Sequence, residues 1–147
     1  MADKTGLMID SAEVRLVRLP LIWPFTISTG TMHAKEFVLL TLRSGKLEGY
    51  GEGVMDPLPD YLEETNASGL MLLEQAILPQ LLGKRFSNPA AVEQTMTHWR
   101  GHRMTKAMVE MAFQDLWAKS LGLPLKTVLG GVRDAVVVGV SLGIGDI

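Results

Sequence analysis

The chain has 147 residues, of which 47% are hydrophobic and 20% are charged, and its formal net charge is −2. This length suits one domain with a hydrophobic core, and the near-neutral charge argues against nucleic-acid binding. The chain contains no cysteine, which excludes disulfides and thiolate chemistry. Because residues 1–11 lack the pattern of a secretion signal and no apolar run reaches membrane-spanning length, we expect a cytoplasmic protein that binds no membrane.

Three segments in the first third of the chain predict an antiparallel meander. Residues 12–19 alternate between apolar and polar side chains, as in a half-buried strand, and residues 36–43 are apolar on both faces, as in a central strand. A short turn leads from there into residues 47–53, where several glycines occur. Glycine inside a strand is typical of a bulge or of close approach by another group.

Two segments between these elements are predicted to be irregular. Residues 21–33 carry apolar and hydroxyl side chains with neither a helical nor a strand period, which predicts a loop. Two interpretations of this loop stay open. It is a lid or binding loop, or it is a surface loop that Trp23 and Phe25 hold in place by packing into the core. Residues 55–61, with two prolines and two aspartates, predict a second irregular loop.

Helices are predicted over most of the remaining chain up to residue 130. The first covers residues 63–78 and ends at Pro79, and the second begins at the cap Asn88 and continues to about Trp99. The strongest helix runs from about residue 104 to residue 120, where glycine and proline follow a basic last turn. Its surface offers two pairs at i,i+4 spacing, Lys106 with Glu110 and Asp115 with Lys119, which we interpret as structural.

The β-branched run at residues 136–142 predicts a strand of a different kind. A continuous apolar run is typical of a strand buried on both faces in a parallel sheet or barrel. Its parallel neighbours would require a crossover of a dozen residues or more, whereas only five residues follow this run. We therefore expect the chain to be a piece of a longer protein, and we expect the free strand to promote self-association.

Several motifs resemble one known family. Residues 101–131 read GHRMTKAMVEMAFQDLWAKSLGLPLKTVLGG, and VGVSLGI follows at residues 138–144. This run resembles the junction between the N-terminal capping domain and the first barrel strand of the enolase superfamily. It is most similar to the o-succinylbenzoate synthase/N-acylamino acid racemase group, and the resemblance extends to RLPL, PF, GYGEG and EET earlier in the chain.

The resemblance implies an α+β fold in which a three-stranded antiparallel meander is followed by about three helices. Residues 1–133 would form the capping domain, and residues 134–147 would begin a (β/α)8 barrel with its first strand only. The loops at residues 21–33 and 55–61 would close over the mouth of the barrel.

The family pattern also implies which side chains contact the substrate. On the first loop these are Phe25 and Thr29, on the second Asp56 and Tyr61, and on the first barrel strand Ser141. Thr29 stands where an aromatic residue is common in the family, and Asp56 where an apolar residue is common, so the substrate side chain stays open.

The chemistry implied by the resemblance is proton abstraction next to a carboxylate, with Mg²⁺ stabilising an enediolate and lysines acting as acid and base. The metal ligands and lysines of the family lie on later barrel strands, so this chain alone is expected to hold no catalytic or metal-binding residue. The expected partner is a small carboxylate substrate, and the protein is expected to be a homo-oligomer.

Two alternatives stay open at this point. The chain could be a stand-alone α+β binding or interaction module without catalysis. It could also be the capping domain of another superfamily member, such as a muconate-type cycloisomerase or a dipeptide epimerase. The apolar run at residues 136–144 favours a part of an enzyme over a free module.

Overall fold

Three long antiparallel strands form the centre of the molecule in a computed structural model that describes residues 6–28 and 30–140. They lie side by side in the order β2-β3-β4, and two short strands pair separately. The predicted meander is confirmed, with β3 as its central strand. The strands are β1 (Leu7–Met8), β2 (Ser11–Ile27), β3 (Gly30–Ser44), β4 (Leu47–Gly53) and β5 (Arg85–Phe86).

The β2–β3 hairpin is much longer than predicted, and the loop prediction for residues 21–33 was wrong. The pairing is interrupted between Pro20 and Phe25 and then resumes with Phe25 opposite Met32. Prolines are tolerated at such an irregularity because no ladder hydrogen bond is needed there. Trp23 is 82% exposed, so it does not pin the segment in the core. With no buried face, the segment shows no strand alternation in its sequence.

Helices follow the meander, and two of the described ones, α1 and α3, begin at a side-chain cap. Thr65 and Ser68 form a capping box at the first helix, and the side chain of Asn88 accepts a hydrogen bond from Ala91 N–H at 3.0 Å. The left-handed Gly122 ends the longest helix, as predicted. The helices are α1 (Asn66–Leu72), a π-helical segment (Leu73–Ile77), α2 (Leu78–Leu81), α3 (Pro89–Met96), α4 (Arg103–Leu121) and α5 (Leu125–Val128).

Pro79 does not end the first helical stretch, in contrast to the prediction. A π-helical segment ends just before it, with the N–H of Leu78 bonded to the carbonyl of Leu73. This change of hydrogen-bond register places Pro79 in the first turn of α2. A proline in a first turn removes no required donor, so the chain stays helical up to Leu81.

The core lies between the sheet and α4, where glycines permit unusually close contact. Val38, Leu40 and Leu42 of β3 are fully buried on this side. A Cβ added to Gly51 of β4 would lie 1.9 Å from the carbonyl oxygen of Met108 on α4. The close approach predicted from the glycines of β4 is therefore confirmed.

Of the two predicted ion pairs on α4, one forms. Lys119 Nζ lies 2.7 Å from Asp115 Oδ2. Lys106 instead donates to the carbonyl oxygen of Trp99. No helix in the described part of the chain is both long and apolar enough to cross a membrane.

The predicted strand at residues 136–142 is not formed over its described part. Residues 136–140 are irregular, and Val137 is fully exposed. A strand needs a neighbour to accept its backbone hydrogen bonds, and no described element pairs with this run. Residues 141 and 142 lie outside the described residues, and the proposed domain division at residue 133 stays a prediction.

Candidate functional site

A cleft of about 680 Å³ lies between the end of the β2–β3 hairpin and the irregular residues 54–65, which we call the 54–65 loop. The hairpin contributes residues from both strands, including Phe25 and His33, and the loop contributes Asp56, Leu58 and Tyr61. The irregular structure predicted for residues 55–61 is confirmed. The cleft therefore joins two separate segments of the chain, residues 18–36 and residues 56–61.

The loop is fastened to the hairpin through Asp56. Its carboxylate oxygen Oδ1 lies 2.9 Å from the Nζ of Lys35 on β3, and each of these side chains is about one-third exposed. The backbone of Asp56 forms a bridge with Thr65, and its carbonyl oxygen accepts a hydrogen bond from Asn66 N–H at 3.0 Å. These contacts close the base of the loop and fix one wall of the cleft.

Phe25 is held on the opposite wall by the resumed strand pairing. It faces Met32 across the hairpin, and the neighbouring hydroxyls of Thr26 and Thr31 lie 3.0 Å apart. Phe25 is 43% exposed, so part of its ring is available to a ligand. Tyr61 of the 54–65 loop is 80% exposed at the same cleft.

Three of the five residues expected to contact the substrate thus line one cleft: Phe25, Asp56 and Tyr61. Thr29 and Ser141 lie outside the described residues. Among the other lining residues, Arg18, His33, Lys35 and Glu36 were not predicted as substrate contacts. Their charges were visible in the sequence, but their position at the cleft depends on the strand register that pairs residue 18 with residue 36.

The cleft combines apolar surface with charges of both signs. Phe25, Met32 and Leu58 supply apolar area, while Arg18 pairs with Glu36 at 3.3 Å. Such a lining suits a small molecule that has both an apolar and a polar part. Within residues 6–28 and 30–140, no group of three histidine or acidic side chains is placed to hold a metal ion. The described residues therefore do not fit a Mg²⁺ site.

Shifted pKa values occur at the other end of β3, away from the cleft. Arg43 bonds to both Glu13 and Glu48 at 2.7 Å. Hydrogen bonds from Arg43 and then Arg15 hold the pKa of Glu13 below its usual range, and those from Tyr50 and then Arg43 lower the pKa of Glu48. This half-buried network bridges the three strands, and we interpret it as structural.

Comparison with known proteins identifies the family. The profile described as "Mandelate racemase / muconate lactonizing enzyme, N-terminal domain" matches residues 10–130. An N-succinylamino acid racemase of Thermus thermophilus is 52% identical over 92% of this chain and 37% of its own length. An o-succinylbenzoate synthase of Geobacillus kaustophilus is 38% identical over 92% of this chain and 36% of its own length.

Solved structures agree with this assignment. An enolase-superfamily protein from Listeria innocua superposes with a TM-score of 0.88 at 32% identity, over 96% of this chain and 38% of its own. The L-Ala-D/L-Glu epimerase of Bacillus subtilis gives 0.77 at 30% identity, over 87% of this chain and 36% of its own. The chain thus spans well under half the length of these relatives. It belongs to the N-terminal domain family of mandelate racemase and muconate lactonizing enzyme, within the enolase superfamily.

Proposed function

We propose that this chain is the capping-domain part of an enolase-superfamily enzyme of the o-succinylbenzoate synthase/N-acylamino acid racemase group. The observation that carries the proposal is the convergence of Phe25, Asp56 and Tyr61 on one cleft between two otherwise unrelated segments. In the whole protein this cleft receives the side chain of a small carboxylate substrate. The reaction proposed for that protein is proton abstraction at the carbon next to the carboxylate.

Each of the three residues has a separate part in this proposal. Phe25 provides an apolar contact that favours bulky apolar substrate groups. Asp56 fixes the wall of the cleft through Lys35, so it acts by positioning the loop. Tyr61 supplies an exposed ring with a hydroxyl, suited to a group that is apolar on one side and polar on the other. Thr29 and Ser141 complete the proposed contact set.

Magnesium enters the proposal only for the whole protein. It would stabilise the negative charge that develops on the substrate carboxylate. The described residues do not fit a metal site. The contribution proposed for this chain is therefore substrate recognition and exclusion of water from the bound substrate.

The comparisons favour this group over the alternatives that the sequence left open. The racemase of Thermus thermophilus is 52% identical, whereas Muconate cycloisomerase 1 of Rhodococcus opacus is 34% identical over a similar part of this chain. The B. subtilis epimerase is 30% identical. A stand-alone binding module would have the same cleft, so the experiment below is designed to distinguish such a module from a part of an enzyme.

The direct test is a chimera in which this chain replaces the corresponding N-terminal part of the Thermus thermophilus racemase. We expect the chimera to racemise N-succinylamino acids well above the level of the Thermus protein lacking its N-terminal part. Muconate cyclisation and epimerisation of L-Ala-L-Glu are measured beside it. A chimera that folds cooperatively and is inactive on N-succinylamino acids would contradict the proposal, and one active only on muconate or the dipeptide would move the chain to that group.

A further inference from the structure

The two outer edges of the three-stranded sheet are treated differently by the fold. On β4, the carboxylate of Asp115 accepts a hydrogen bond from the backbone N–H of Tyr50 at 2.9 Å. Lys119 Nζ donates to the carbonyl oxygen of Glu48 at 2.7 Å. Side chains of α4 therefore occupy two outward backbone groups of β4, which hinders pairing of this edge with another strand.

The edge of β2 has no such cover among the described residues. The N–H of Tyr50 points away from β3, so the N–H and C=O of its cross-strand partner Thr41 point away from β4 and toward β2. Glu13 lies opposite Thr41 on β2 and therefore directs its own N–H and C=O toward β3. The residues that alternate with Glu13, namely Ala12, Val14 and Leu16, direct theirs outward. In the described part of the chain, β3 alone pairs with β2. Leu16 at this edge is 55% exposed.

We propose that this edge pairs antiparallel with the β2 edge of a second copy of the chain, about a twofold axis at Val14. In this register Val14 faces Val14 of the partner subunit, and Ala12 faces the partner's Leu16. These are outward-directed residues, so each pair exchanges two backbone hydrogen bonds. The result is a continuous six-stranded sheet in which the exposed Leu16 is covered. The inference is independent of the proposed catalytic function.

The charges along β2 select this register. With the axis at Val14, Glu13 lies opposite the partner's Arg15, and Arg15 opposite the partner's Glu13. These positions are non-hydrogen-bonded pairs, where facing side chains are closest. Moving the axis by one residue would place Arg15 against the partner's Arg15, or Glu13 against the partner's Glu13. Within one chain Arg15 already bonds to Glu13, whose second carboxylate oxygen accepts from Arg43. In the register centred on Val14 the partner's Arg15 extends this group of alternating charges, whereas the shifted registers oppose like charges, which destabilises strand pairing.

Association through one strand edge is expected to be weak. The contact is smaller than a standard interface of about 1,600 Å², so we expect a dissociation constant in the micromolar range or above. Sedimentation equilibrium from micromolar to millimolar chain concentration should show a reversible monomer–dimer equilibrium. A monomer throughout that range would overturn the proposal.

The register is tested by cross-linking, because the chain has no cysteine of its own. Val14→Cys places two thiols at the axis, with Cα atoms about 5.5 Å apart, within the range of a disulfide. The matched control is Val17→Cys on the same strand, whose two copies would lie about 20 Å apart in this register. Rapid dimer formation under mild oxidation by the first variant alone is expected. Equal cross-linking by both variants, or by neither, would overturn the register.

The charge pattern is tested by exchanging partners. Arg15→Glu places glutamates opposite each other and should raise the dissociation constant about tenfold. Glu13→Arg creates the opposite mismatch and also removes the intrachain bond to Arg43, so its melting curve is measured beside that of Arg15→Glu. Each variant alone should associate poorly, while a mixture of the two restores both opposite-charge pairs and should form the heterodimer. If the mixture associates no better than its components, although both variants retain cooperative melting, the edge pairing is wrong. If both variants dimerise with the same dissociation constant as the wild-type chain, association would be assigned to another surface, such as residues 132–140.

Discussion

The carboxylate of Glu64 lies at the N-terminus of α4 and holds Thr105 by two hydrogen bonds. Its Oε1 accepts from the backbone N–H of Thr105 at 2.8 Å and from its Oγ1 at 2.5 Å, while Oε2 accepts from Met104 N–H at 3.0 Å. The N-cap residue, His102, is left-handed and makes no capping bond with its side chain. Glu64 thus caps α4 from the end of the 54–65 loop and connects the candidate site to the central helix.

Replacing Glu64 by alanine should destabilise the protein. The change leaves the amide of Thr105 buried without its acceptor, which costs about 1–3 kcal/mol. Urea unfolding followed by circular dichroism measures the free energy. The matched control is Glu63→Ala, since Glu63 is an exposed neighbour. Equal stability of the two variants would show that the carboxylate of Glu64 does not support α4.

Gly51→Ala should be among the most destabilising single methyl additions in the chain. The new Cβ would lie 1.9 Å from the carbonyl oxygen of Met108, so β4 and α4 would have to separate. Overpacking of this kind costs about 3 kcal/mol or more. Gly139→Ala is the control, because a Cβ there meets nothing within 4 Å. A Gly51→Ala protein that melts like the control would contradict the close packing of these elements.

The parts of the fold that were predicted correctly are those with a local signal. β3 is apolar on both faces and is indeed central, and α4 has its helical pattern together with the Gly122 cap. The end of the β2–β3 hairpin was missed because its side chains are exposed on both faces, as the 90% exposure of Ile22 shows. Pairing there depends on backbone bonds to a strand whose register the sequence does not reveal.

The candidate site was predictable only through family resemblance. Phe25, Asp56 and Tyr61 carry no pattern that would join them, since they come from two segments without helical or strand period. The pairing of Lys35 with Asp56 is a contact between residues 21 positions apart. The capping of α4 by Glu64 spans about twice that distance along the chain. Such long-range contacts leave no periodic trace in a single sequence.

The network around Arg43 predicts how stability changes in acid. The pKa values of Glu13 and Glu48 are lowered in the folded state. Their stabilising effect is therefore fully present above the ordinary carboxyl pKa of about 4 and is lost as the pH falls through the folded-state values. Arg43→Met should lower the melting temperature at pH 7 and have a smaller effect in acid where both glutamates are protonated in the folded state, relative to Lys46→Met at an exposed turn. An effect of Arg43→Met that is the same at both pH values would contradict the ionic role of this network.

The chain by itself should show no racemase or dehydratase activity, with or without magnesium. The described residues provide a binding cleft but no metal-binding group, and the proposed acid and base belong to the whole protein. Turnover of N-succinylamino acids is measured with purified chain against a blank preparation from cells without it. Activity that rises in proportion to the chain concentration would contradict this prediction and assign catalysis to the chain.

The central claim is that the cleft recognises the substrate side chain, and Phe25→Ala in the Thermus chimera tests it most directly. Loss of an aromatic contact should reduce kcat/KM for a bulky apolar N-succinylamino acid by a factor of roughly 10 to 200, mainly through KM. The effect on a small substrate should be slight. The control is Trp23→Ala, because Trp23 lies on the same hairpin, is 82% exposed and does not line the cleft.

Steady-state kinetics on one bulky and one small substrate, with a melting curve for each variant, is therefore the deciding measurement. The account predicts a selective loss for the bulky substrate in Phe25→Ala, no such selectivity in Trp23→Ala, and unchanged melting in both. Equal losses on both substrates in Phe25→Ala, accompanied by a lower melting temperature, would show that Phe25 only packs the hairpin and would contradict its role in recognition.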